Sequence, residues 1–300
     1  MAEPLGRAAR PDAGSSVAPV MAITGAPCVR GLRTTIAPQR RAMSHQALLE
    51  SRLVANRDEI LAFASELLDL DAYPDYGPMG MQVAGAPEVD RIACGVSSSL
   101  ELFERTAAAG AQMLLVHHGV LWDRDSRVID DAMRRRLKTL LDAGITLAAY
   151  HLALDAHPQL GNNALIAREL GIEPSEQFGG IGFGGPLAEP VSVDEFAARV
   201  RERLGSDPVV FAHGPERIER AAVITGGAAR YLADAADEGY DLFLTGEPAE
   251  PSLHTARELG IHFVAAGHYA TERIGIQALA KRLAEEFDLE WEFIDLPNPV

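Results

Sequence analysis

Lysine is almost missing from this chain of 300 residues: Lys138 and Lys281 are the only two, so nearly all of its 27 basic side chains are arginines. Against them stand 43 carboxylates, giving a formal net charge of −16. So acidic a surface is poorly equipped to grip a phosphate backbone, and nucleic acid is not an expected main partner. Cysteine is equally scarce. Cys28 and Cys94 supply neither a zinc-finger ligand set nor a disulfide framework, which suits a reducing, cytoplasmic setting. Long apolar runs are missing as well: none approaches the roughly 18 to 20 residues that a membrane-spanning helix needs, so no membrane partner is expected. What the chain does have is 47% hydrophobic content, enough for one large or two ordinary domains with real cores.

Residues 1–43 read differently from the rest. They carry six arginines against Glu3 and Asp12, with scattered Gly, Ala, Ser and Pro and no clean periodicity. The segment reads as a disordered tail, an organelle leader, or a translation start placed too early, since Met43 directly precedes the first periodic apolar run. From Ser44 onward, amphipathic helices alternate with apolar strands. Ser44 and Asp58 are candidate helix caps, and helices are predicted over 100–109, 129–143, 163–170, 193–204, 228–238, 251–259 and 271–287. Strands are predicted over 91–96, 112–116, 145–150, 209–212, 221–224, 241–244, 262–265 and 290–294, and Gly179–Gly185 reads as a glycine-rich turn. Such alternation predicts an α/β fold with largely parallel sheets covered by helices.

Three segments share one design, an apolar strand that stops at ligand-type side chains. They are Leu114-Leu-Val-His117-His118-Gly, Leu147-Ala-Ala-Tyr-His151-Leu-Ala-Leu-Asp155 and Phe263-Val-Ala-Ala-Gly-His268-Tyr-Ala-Thr-Glu272. In open α/β sheets, sites form beyond the carboxyl ends of strands, so three such ends can meet in one crevice. Neighbouring strand residues face opposite ways, so His117 and His118 serve one site only if the strand ends there, which Gly119 permits. His268 and Glu272, four apart, fall on one face of a helix opening after Gly267. Imidazole nitrogen with carboxylate oxygen, and no thiolate, suits zinc, iron, manganese or nickel. Five ligands exceed what one open catalytic zinc takes from protein, and a bridging carboxylate would let them serve two divalent ions.

Other polar groups near these ends carry two readings each. His151 either orients a ligand and shuttles protons or is a strand-end side chain bonded to backbone. Glu247 either acts as a base or partner of a ligand, or is a helix N-terminal carboxylate before Pro248. Thr225-Gly226-Gly227 either seats an anion on backbone amides or simply connects strand to helix. His157, His213, His254 and His262 read as structural or surface, and Trp122 and Trp291 as core or interface anchors.

Several short motifs follow one another in order: Asp75-Tyr-Gly-Pro-Met-Gly-Met-Gln82-Val-Ala-Gly85, His117-His118-Gly, His151-Leu-Ala-Leu-Asp155 through Asn163, Thr225-Gly-Gly227, Thr245-Gly-Glu247, Gly267-His268-Tyr-Ala-Thr-Glu272 and Asp295-Leu-Pro-Asn-Pro299. In these the chain resembles the Nif-three-like dinuclear metal-centre family, the homologues of type 2 GTP cyclohydrolase I, in its bacterial YbgI-type branch. The resemblance spans residues 44–300. It implies two interlinked α/β domains, 44–168 and 169–300, the second closing the metal site, and assembly into a homohexameric ring. It carries the metal ligands onto His117, His118, Asp155, His268 and Glu272, with Glu272 as the bridge; we pair His118 with Asp155 on one ion and His117 with His268 on the other. Met79 and Met81 stand where the family commonly has Asn and Leu, and Phe183 where many members have Arg, so no polar role is expected at 79 and no phosphate grip in the 180–184 loop.

Two functions from different classes follow. One is a metal-dependent hydrolase acting on a small molecule, with His151 and Glu247 as the candidate catalytic groups. The resemblance suggests a purine nucleotide such as GTP as its substrate. The other is a non-enzymatic hexameric metal-binding protein that works through protein partners.

Overall fold

A computed structural model describes residues 54–300. The reading of residues 1–43 and the helix expected from Ser44 lie outside the described residues. Two sheets organise the rest, beside a short antiparallel pair of β1 (Ala55–Asn56) and β3 (Glu88–Val89). The first has the order β13-β4-β5-β6-β2, built from β2 (Gly80–Val83), β4 (Arg91–Ser97), β5 (Met113–His118), β6 (Thr146–Ala149) and β13 (Glu290–Phe293). Its first four members run parallel, and β2 closes the edge antiparallel to β6. The alternation of helix and strand had foretold these parallel neighbours, because each needs a crossover that returns the chain to the same end.

Central strands of this sheet are apolar on both faces, as a covered parallel sheet requires. On one face Ile92, Cys94, Met113, Leu115 and Ala148 meet Ile60, Ala64 and Leu68 of helix α1 (Arg57–Leu68). On the other, Ala93, Leu114, Val116 and Leu147 meet Leu102 and Phe103 of α2 (Leu100–Ala109) and Leu140 of α3 (Asp131–Ala143). The strict odd–even split follows from the period of two along a strand. Helix α1 is capped by Asn56, whose side chain accepts from the N–H groups of Asp58 and Glu59, so the expected cap Asp58 lies two residues further on, in the first turn. There its negative charge favours the helix N-terminus instead.

The second sheet is mixed. Its order is β7-β8-β10-β11-β12-β9, from β7 (Glu176–Phe178), β8 (Gly182–Val191), β9 (Val209–Phe211), β10 (Ile218–Val223), β11 (Leu242–Thr245) and β12 (His262–Ala265). Only β10, β11 and β12 are mutually parallel; β8 and β9 flank them antiparallel. The glycine-rich stretch is a tight hairpin between β7 and β8, turning at Gly179 and Gly180 with φ of +58° and +85°, and Phe183 is buried within β8. Helix α6 (Val193–Leu204) covers one face, and α7 (Leu232–Asp237) with α8 (Ser252–Leu259) the other.

Two further helices complete the site's frame. After β6 a four-residue helix, α4 (Leu152–Asp155), precedes α5 (Asn162–Glu169). The long α9 (His268–Phe287) starts at the end of β12, three residues earlier than its apolar pattern suggests. Its first turns place Ala270 and Ile274 against the core of the second sheet, and its later turns place Ile276, Leu279 and Leu283 in that of the first. One helix therefore ties both cores together. Among the described residues no helix is long and apolar enough to cross a membrane.

Ile276 is fully buried at that junction. Replacing Ile276 with Ala should destabilise the fold by about 2–5 kcal/mol, the usual cost of deleting buried methylene groups and leaving a cavity. Urea unfolding of the metal-stripped protein checks this, and a change below about 0.5 kcal/mol would show that α9 does not couple the two cores.

Candidate metal centre

The carboxyl ends of β5, β6, β11 and β12 bring the expected groups to one place. His117 and His118 are the last residues of β5. His117 is fully buried, and its Nδ1 donates to the Tyr150 carbonyl oxygen at 2.9 Å. A carbonyl only accepts, so Nε2 is the nitrogen left to bind. His118 stays partly exposed, with Nδ1 2.9 Å from Ser97 Oγ on the neighbouring strand. Because the strand stops there, the two rings do not diverge, and their centroids are 4.8 Å apart.

Glu272 is set among the imidazoles. Its Oε1 lies 3.6 Å from His117 Nε2, and its Oε2 lies 3.2 Å from His118 Nε2 and 3.0 Å from His268 Nε2. His268 and Glu272 share a face in the first turns of α9, as their spacing predicts. Asp155, at the end of α4, directs Oδ2 to within 3.5 Å of His117 Nε2. Its Oδ1 accepts from Asn162 Nδ2 at 2.8 Å and from Thr225 Oγ1 at 3.4 Å. The loop Thr225-Gly226-Gly227 thus borders the cluster. At Gly226, where φ is +67°, a Cβ would lie 2.2 Å from Glu272 Oε1, so only glycine lets the backbone pass.

Donor atoms sort into two groups that share Glu272: His117 with Asp155, and His118 with His268, each group's atoms within 4.8 Å of one another. This differs from the expected pairing. The alternation at the end of β5 turns His117 inward toward α4 and leaves His118 at the rim beside α9. A third group joins His117 and His118 to His151.

These residues fit a divalent cation. His117 Nε2 and Glu272 Oε2 are buried with no hydrogen-bond partner, although each is an atom of the kind that binds metal. Protons partly take a cation's place. Burial opposes charging His117, but Asp155 and Glu272 outweigh it and push its pKa up to about 9. His268 also rises to about 9 against its burial, through Glu272 and Glu247. His118 moves down, because burial and the nearby His117 and His151 exceed the pull of Glu272. Glu272 itself is held well below the carboxylate range despite its burial, by His117, His118 and His268. Burial and the negative Glu272 raise Asp155.

Glu247 follows β11 and accepts a hydrogen bond from His268 Nδ1, which turns His268 Nε2 toward Glu272. Its side-chain partner is thus His268. His151 lies beside the cluster, its ring centroid 5.0 Å from that of His117. Trp122 stands edge-on to it at 5.3 Å, at the rim of the centre and not in a core, while Trp291 on β13 is exposed. His262 and His157 serve local backbone: His262 Nε2 donates to the Pro215 carbonyl, and His157 Nδ1 accepts from Gln159 and Leu160. Sequence reasoning assigned no role to Asp75, whose Oδ1 lies 2.8 Å from His151 Nδ1, or to Asn162. Asp75 stands 76 positions from His151, so no local spacing could have linked them.

Comparison with known proteins gives one answer throughout. The model of the DUF34/NIF3 (NGG1p interacting factor 3) family matches residues 55–299. A relative from Pseudomonas aeruginosa, named GTP cyclohydrolase 1 type 2 homolog, is 46% identical over 79% of this chain and 95% of its own length. The solved structure of protein ybgI is 44% identical, with a TM-score of 0.80, and covers 82% of this chain and 100% of its own. That of TTHA1606 from Thermus thermophilus is 33% identical, with a TM-score of 0.78 and the same coverage. By sequence and by fold, the chain belongs to the DUF34/NIF3 family.

Proposed function

We propose that this protein is a dinuclear metal-dependent hydrolase in which His117, His118, Asp155, His268 and Glu272 hold two divalent ions, with Glu272 shared between them. The observation that carries the reading is the Glu272 carboxylate, 3% exposed, set among three imidazoles that approach both of its oxygens. The centre is closed on the side of His117 and Asp155 and open on that of His118 and His268, whose side chains are 22% and 27% exposed. A reactive site needs such an open side, while a purely structural one is sealed. When bound, the ions supply Lewis acidity and acidify water at neutral pH.

The chain's own groups do the rest. Tyr150 and Glu247 fix the Nδ1–H of His117 and His268, and Asn162 holds one oxygen of Asp155, so the donors are preorganised. His151, outside the five ligands, is the group placed to move a proton. The name of the Pseudomonas relative supports a purine nucleotide such as GTP as the substrate, with water adding to the imidazole ring of guanine. The homohexamer implied by the sequence resemblance is part of the same proposal.

Three outcomes test it. Purified protein should carry close to two ions per chain, and Glu272→Gln should lose more than one of them by elemental analysis, since one carboxylate serves both. Unchanged stoichiometry would remove the bridge.

Metal uptake should also depend on pH. His117 and His268, with pKa near 9, hold protons at neutral pH that a cation must displace. Affinity of the stripped protein should therefore rise with pH and level off above about 9, by about tenfold per pH unit for each proton displaced. Competition titrations at several pH values read this, and a flat profile contradicts it.

His151→Ala should keep both ions yet lose about 10²- to 10⁴-fold in turnover of GTP, the range of a general acid–base group. Loss of metal in that variant would make His151 a ligand. If fully loaded wild type turns over no purine nucleotide, the hydrolase reading falls and a metal-binding role remains.

A further inference from the structure

His151 sits where the chain leaves β6, with φ −107° and ψ −105°, directly before α4. Its ring meets a buried carboxylate. Asp75 Oδ1 lies 2.8 Å from His151 Nδ1, and the Asp75 side chain is 2% exposed. The same oxygen accepts the backbone N–H of Tyr76 at 2.7 Å, and Oδ2 accepts that of Leu152 at 2.8 Å. A carboxylate taking three hydrogen bonds is fixed in place and favoured in its ionised form. Burial alone would push the Asp75 pKa up, yet the bonds from His151, Tyr76 and Leu152 hold it below its ordinary value.

An ionised carboxylate offers only acceptor lone pairs, so the ring nitrogen facing it carries a proton. In a neutral imidazole the other nitrogen, Nε2, is then the acceptor. We propose that Asp75 is a positioning residue that holds His151 in the Nδ1–H tautomer and leaves Nε2 as its free lone pair beside the metal centre. The proposal rests on the hydrolytic reading of that centre, in which His151 moves a proton.

The surroundings restrain both partners. Trp122 packs edge-on against the His151 ring at 5.3 Å, opposing rotation of the ring. The loop that carries Asp75 is stitched to the one that carries Trp122: Tyr76 O accepts from Asp123 N at 2.8 Å. Gln82 Nε2 donates to Pro78 O, while its Oε1 accepts from Val120 N and Leu121 N. A carboxylate serving only the start of α4 would need the Leu152 amide alone. Here it takes the ring and the next amide together, so ring orientation and the start of the helix bearing Asp155 are set by one group.

Neutron diffraction from perdeuterated crystals of the zinc-loaded protein, grown at about pH 8, reads the proton directly. A deuteron on His151 Nδ1 and none on Nε2 is expected. One on Nε2, alone or together with Nδ1, overturns the proposal. In Asp75→Ala no acceptor is left for the Nδ1 proton, and the imidazole returns to its commoner Nε2–H form. The deuteron should then move to Nε2. Zinc content should stay unchanged, while kcat for GTP falls about 10²-fold or more with little change in KM. A deuteron that stays on Nδ1 in this variant overturns the role of Asp75. Should the variant not fold, the wild-type proton position still decides. If wild type does not turn over GTP, the hydrolase reading fails and the deuteron alone settles this one.

Discussion

Burying Glu272 is the constraint to which the rest of the structure answers. An isolated carboxylate taken out of water costs several kcal/mol, and this one is compensated only if positive charge reaches both oxygens. His117 and His268, with their pKa pushed up to about 9, do so, one at each oxygen, and they arrive from the ends of two different sheets. For that to happen, β5 must carry a histidine at its end, β12 must end where α9 begins, and the backbone at Gly226 must pass within reach of a carboxylate oxygen. Each local feature is ordinary. Together they place a charge where only a cation, or protons standing in for one, satisfies it.

The helix that carries Glu272 is also the one that joins the two cores. Its first turn belongs to the centre and its last turns to the first sheet. Asn162 strengthens the link, since it accepts from Gly275 N at 2.7 Å while donating to Asp155. Donor geometry and the packing of the two cores are thus coupled through one buried amide. A tightly packed interior does not deform gradually, so the donors keep their spacing as long as the cores hold.

A ring of supporting bonds surrounds the donors. Tyr150 O, Ser97 Oγ and Glu247 each engage the outer nitrogen of one histidine, and Asp75 does the same for His151. Such partners set tautomer and ring direction, which a metal site needs as much as the ligands themselves. Their chemical variety, a carbonyl, a hydroxyl and two carboxylates, gives the imidazoles of one cluster different hydrogen-bonding surroundings.

Much of this was legible in the chain itself. Apolar runs ending in His117-His118, His151 and His268 announced strand ends that meet in one polar cluster, and the four-residue step to Glu272 announced a shared helix face, because both signals are local and periodic. Parallel order in the first sheet followed from the alternation of helix and strand. The antiparallel flanks of the second sheet did not, since edge strands gain their partners from packing and not from their own pattern. Asp155 beside His117, Asp75 beneath His151 and Asn162 between two helices were likewise decided only in three dimensions. Each joins residues far apart in the chain, and a buried polar group finds its partner by proximity after collapse, which no spacing in the sequence records.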